Sequence, residues 1–185
     1  MKIFLTVGFL FAFTTSICLA KDPVVSGPSV GGKVGPYSFL VASGPQRGQP
    51  TCYVCETAEK PGLIVFARST SPALGKLLLI ADQAMSERPK GELTAWMTVL
   101  GEKTISMDEL GKWVKDLGLK SVPTGIFDDP VGPPSFRLSP NADVTVLLFA
   151  NRKVTANFAF SKDQLDEKQL VELTQAIQKH GKAKP

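Results

Sequence analysis

Histidine occurs once and cysteine three times in 185 residues. The one histidine, His180, stands close to the C-terminus. That excludes catalysis built around a histidine base and a zinc site needing several imidazoles. Long blocks of one charge are also missing. The net charge of +4 comes from 21 basic and 17 acidic residues spread along the chain. Only Lys179, His180, Lys182 and Lys184 cluster, and a basic tail of that kind solvates a terminus. No nucleic-acid partner is expected. The hydrophobic share of 43% is too high for a disordered chain. It is too patchy for a protein with several membrane spans.

The three cysteines differ in setting. Cys18 falls within residues 1–20, which have the anatomy of a targeting leader. Lys2 gives a positive start, Ile3 to Phe13 is apolar, and Cys18-Leu19-Ala20 offers small residues before Lys21. The expectation is cleavage, leaving Cys52 and Cys55 in an exported (periplasmic or secreted) protein. The alternative is a retained anchor, because residues 3–20 carry no charge, although Thr14, Thr15 and Ser16 weaken the stretch. Ile17 before Cys18 argues against a lipoprotein signal. No other stretch could span a bilayer, so none is expected after leader cleavage. Export would put Cys52 and Cys55 in an oxidising compartment, where a disulfide persists.

Eleven of residues 21–50 are Gly or Pro. Residues 21–35 read as a flexible linker, followed by one domain over 36–180 and a basic tail over 181–185. Tyr37 to Ala42 suits a strand. Leu63 to Ala67 is a short apolar run of the kind buried on both faces of a sheet. Ser71 can cap a helix with Pro72 at its first position, and Leu74, Leu77, Leu78, Ala81 and Met85 follow helical spacing. Leu93 to Leu100 is a strand. Ser106 and Glu109 form a capping box for a helix ended by Gly118. Val122 to Phe127 suits a short strand. Asp128 to Asp143 is a Pro/Gly-rich loop, of a length usually functional or mobile. Val144 to Ala150 and Val154 to Phe160 make a hairpin around residues 151–153. Leu165, Leu170, Leu173 and Ile177 mark a last helix. This order predicts an α/β fold, a mixed sheet with helices on both faces.

That order of elements resembles the thioredoxin-like superfamily. Phe66-Ala67-Arg68-Ser69-Thr70-Ser71-Pro72-Ala73 is similar to its strand-to-helix junction, with Thr70-Ser71-Pro72-Ala73 in place of Cys-Gly-Pro-Cys. Val144 stands where the family has a cis-proline, with Pro123 as the other candidate. Pro36-Tyr37-Ser38-Phe39 resembles the lead-in of exported thioredoxin-like and peroxiredoxin-like proteins. The resemblance implies a thioredoxin-like fold over about residues 36–180 and protein thiols or disulfides as partners. It does not imply catalysis at the junction, which has no cysteine. A thiol peroxidase would need one there too.

The chemistry therefore rests on Cys52-Tyr53-Val54-Cys55. A CxxC ring is small and exchangeable, which favours redox use. In one placement Thr51 caps a short helix, Cys52 is the exposed nucleophile and Cys55 the resolving thiol. Glu56 and Glu59 oppose thiolate formation there. In the other placement the pair lies in a loop before the strand at residue 63 and staples it. Metal binding is the third option, but two cysteines fall short of the four ligands zinc takes. No cofactor or metal is expected. The expected function is thiol–disulfide exchange with Cys52 and Cys55 catalytic, the rivals being a binding module with a structural disulfide and a thiol peroxidase. Other features have simpler readings. Trp96 and Trp113 suit the core, Asp128-Asp129 before Pro130 suits a turn, and Arg68 suits a solvated or ion-paired site rather than an anion clamp.

Overall fold

Short apolar runs that alternate sides on buried strands set the frame. The structure, a computed structural model, describes residues 24–101 and 103–181. The proposed leader and most of the basic tail lie outside the described residues. Seven strands form one mixed sheet. They are β1 (Phe39–Ser43), β2 (Pro50–Thr51), β3 (Gly62–Ala67), β4 (Thr94–Leu100), β5 (Thr124–Phe127), β6 (Val144–Ala150) and β7 (Lys153–Phe160). Their order across the sheet is β2-β1-β5-β4-β3-β6-β7. The central strands β3, β4 and β5 run parallel, and β6 pairs antiparallel with β3 from Val144 opposite Ala67 to Phe149 opposite Gly62.

Four helices join these strands: α1 (Tyr53–Thr57), α2 (Pro72–Ser86), α3 (Met107–Leu117) and α4 (Glu167–Lys179). Local chemistry fixes their ends. Ser71 Oγ accepts the Leu74 N–H, with Pro72 at the first helical position. The Ser106–Glu109 capping box starts α3, and Gly118 closes it with φ +76°. These boundaries match the sequence expectation.

Helices occupy both faces, but unequally. Alternate strand residues Leu63, Val65, Met97, Val99, Val146 and Leu148 meet α2, α3 and α4 in the larger cluster. Ile64, Phe66, Trp96, Leu147 and Phe149 point the other way. That second face is closed by α1, a 3-10 turn at Pro134–Phe136 and coil. Trp96 is fully buried there, whereas Trp113 is only partly buried against the larger cluster.

Three expectations change. Residues 24–35, read as a flexible linker, are packed along β7. Ser26 is buried and bonds to Thr145 (Oγ···Oγ1 2.7 Å), Gly31 N–H donates to Val154 O at 2.8 Å, and Asn157 Nδ2 donates to Ser26 O and Pro28 O. The outer edge of β7 supplies bonds that Gly/Pro-rich sequence cannot supply for itself. The 128–143 loop is likewise packed: Phe136 is fully buried, 4.9 Å from the Phe66 ring. The hairpin turn is also shorter than expected, because Lys153 pairs with Ala150 and only Asn151 and Arg152 turn, at φ +52° and +58°. Two successive left-handed residues make the type I′ geometry that follows strand twist.

Candidate functional site

Cys52 and Cys55 form a disulfide with Cα atoms 5.3 Å apart. Thr51 does not cap α1. It belongs to β2, opposite Phe39, and Cys52 is itself the N-cap. Cys52 Sγ accepts the Cys55 N–H at 3.3 Å. Cys52 is half-buried against the second-face cluster, while Cys55 is exposed. The more exposed residue is thus the second of the pair.

Tyr53 and Val54 between them anchor the motif. The Tyr53 ring stacks on Trp96 at 5.7 Å and lies 5.6 Å from Phe39, and its hydroxyl donates to Gln46 Oε1 at 2.7 Å. Burial, with the Glu56 carboxylate nearby, pushes the Tyr53 phenol up to about 12. An aromatic inside a two-residue spacer therefore seats the pair on the core, which explains why a five-residue helix persists.

The usual redox position of the resembled family is elsewhere. Thr70, Ser71, Pro72 and Ala73 line a cleft of about 490 Å³ with Asp143 and Lys162, at the carboxyl end of β3. Ser69 Oγ donates to both Asp143 carboxylate oxygens at 2.9 and 3.0 Å. Neither cysteine lines this cleft. Thr51 stands four strand steps from β3, about 19 Å at ~4.8 Å per strand. Moreover α1 packs on the second face and α2 on the first. The cysteines and the junction are therefore separate places. Val144 opens β6 opposite Ala67 and lines the cleft, whereas Pro123 lies at the amino end of β5.

Arg68 grips the backbone of the 128–143 loop: Nε donates to Ala142 O at 3.1 Å, Nη2 to Ser139 O at 3.2 Å and Nη1 to Pro130 O. Burial pulls its guanidinium below the ordinary range, against the opposing effect of Asp143. Asp129 serves a turn, its carboxylate accepting the Val131 N–H at 2.8 Å. Sequence reasoning missed one structural carboxylate. Asp82, buried on α2, accepts the backbone N–H groups of Lys120, Ser121 and Val122 and fixes the α3–β5 connection. Its only sequence signal was a charge within an apolar helical face.

No protein-family model and no curated protein sequence matches the chain. Solved structures do. A candidate protein disulfide isomerase from Bacteroides thetaiotaomicron superposes with a TM-score of 0.65 at 12% identity, covering 86% of this chain and 96% of that one. A secreted Mycobacterium tuberculosis disulfide oxidoreductase homologous to E. coli DsbE gives 0.52 at 12% identity, over 76% and 95%. A Chlorobium tepidum thiol:disulfide interchange protein of the thioredoxin family gives 0.53 at 11%, over 80% and 98%. The chain has a thioredoxin-like fold. Among the described residues no helix is long and apolar enough to cross a membrane.

Proposed function

We propose that the protein exchanges thiols and disulfides through Cys52 and Cys55, acting on protein thiols or disulfides as an exported protein. One observation carries this reading: the pair is joined in a small ring whose second residue is exposed. An exposed CxxC disulfide is open to attack by thiolate. The fold neighbours described as disulfide oxidoreductases and interchange proteins support the reaction class. The leader-like residues 1–20 support export, as does the neighbour described as secreted.

Turnover of insulin by the chain lacking residues 1–20, with dithiothreitol as the reductant, tests the reading. Precipitation should outpace the reductant alone, and replacing both Cys52 and Cys55 by Ser should remove the gain. Equal rates for the two proteins would contradict it.

A second reading has its own support. The pair sits away from the cleft at the carboxyl end of β3, and Cys52 packs on the aromatic cluster. A disulfide so placed can staple α1 while the protein serves as a binding module. Under that reading both cysteines can be replaced with loss of stability and no loss of partner binding.

A further inference from the structure

We infer that the pair reacts through Cys55, not Cys52, and that the thiols it prefers carry positive charge near their sulfur. This rests on the exchange reading above and assigns its chemistry.

Access and leaving-group stability point the same way. Cys55 is exposed, whereas Cys52 is half-buried against the second-face cluster. The Cys55 N–H donates to Cys52 Sγ at 3.3 Å, so negative charge is better held on Cys52. A better-stabilised thiolate leaves faster. In the first step a substrate thiolate attacks Cys55 Sγ. A substrate–Cys55 bond forms, the Sγ–Sγ bond breaks, and the electron pair departs on Cys52 as thiolate. In the second step another substrate thiolate attacks the substrate sulfur of that mixed disulfide and releases the Cys55 thiolate. Two thiols are oxidised to one disulfide and the protein is reduced to the dithiol. The reverse route uses Cys55 as nucleophile and Cys52 as resolving thiol.

Charge around the sulfur sets the preference. Between residues 50 and 61 the charged groups are Glu56, Glu59 and Lys60, and both carboxylates are exposed. Lys60 reaches the connection between α2 and β4, its Nζ 3.2 Å from where a Gly91 side chain would begin. Glu56 is near enough to raise the Tyr53 phenol. The attacking group thus meets a negative field, which concentrates cationic thiols and repels anionic ones. The same carboxylates oppose a thiolate at either cysteine, which leaves the hydrogen bond to decide which sulfur carries the charge.

The oxidised chain is mixed with cysteamine, 2-mercaptoethanol or mercaptoacetate. Freed thiols are alkylated with iodoacetamide after an acid quench, and the peptides are mapped. The expected result is the thiol adduct on Cys55 and the alkyl label on Cys52, at least tenfold over the reverse. Each rate is normalised to the same thiol's rate with the neutral disulfide of 2-mercaptoethanol. Cysteamine should then outpace mercaptoacetate by a few-fold at low ionic strength, with added salt or Glu56→Gln shrinking the ratio. An adduct mainly on Cys52, or equal normalised rates for the two charged thiols, overturns the inference and leaves exchange intact. No adduct with any of the three thiols overturns the exchange reading itself.

Discussion

At the scale of single residues, buried polar groups tie the elements together. Asp82 is the clearest, because one carboxylate satisfies three backbone donors between α3 and β5. Removing it leaves those N–H groups to unmatched burial or to water. Asp82→Ala should therefore lower the stability by about 2–4 kcal/mol, read from the urea midpoint at unchanged m. A shift below half a kcal/mol would mean the donors find other partners. The scarce histidine is also structural. His180 Nε2 lies 3.0 Å from Phe149 O, so that nitrogen carries the proton, and Nδ1 faces Thr155 Oγ1 at 3.4 Å. Burial holds its pKa below the ordinary range. The Phe149 and Gly62 backbones oppose that shift and the Arg88 charge adds to it. The folded value is thus below the unfolded one, about 6.5. The stability from a neutral His180 is full above that pH and is lost as pH falls through the folded value. Stability measured from pH 7.5 to 5 should fall less steeply in His180→Asn than in the parent. Parallel curves would remove His180 from the account.

At the scale of elements, what the sequence made legible and what it hid have physical reasons. Caps are local, so Ser71, Ser106, Glu109 and Gly118 located α2 and α3 without help from the rest of the chain. Turn length is not local in the same way. Lys153 reads as part of the turn in the sequence, but it pairs with Ala150, beyond a register shift between Leu148 and Phe149. The result is that Arg152 occupies a left-handed position at φ +58° with a Cβ that disfavours it. Arg152→Gly should raise stability by roughly 0.5–1 kcal/mol, with the Val34 N–H to Arg152 O bond retained. A loss of stability in the thermal midpoint would contradict the turn assignment. The 128–143 loop was hidden for a third reason. Its anchors include one aromatic, Phe136, the isolated Leu138 and backbone carbonyls gripped by Arg68 from the end of β3, and none of these leaves a periodic pattern.

Across the whole molecule the sheet is covered by regular helices on one face and by improvised parts on the other. Strand order and helix periodicity made the first face readable. The second face depends on residues 24–34, α1 and the 128–143 loop, joined by contacts far apart in sequence such as Ser26 with Thr145. Gly/Pro content there suggested mobility, because composition cannot show which strand edge will supply hydrogen bonds. The candidate site was legible in its residues and not in its setting. Cys52 and Cys55 stood out as a CxxC pair, but their seat on Tyr53 and Trp96, their distance from Thr70–Ala73 and the greater exposure of Cys55 all depend on the fold. The central claim is that this disulfide exchanges rather than staples. Equilibration of the folded chain with glutathione buffers of graded poise measures that directly. The midpoint should lie above about −270 mV, in the range of exchanging pairs; a midpoint below about −300 mV, where structural disulfides lie, would mark the pair as a staple.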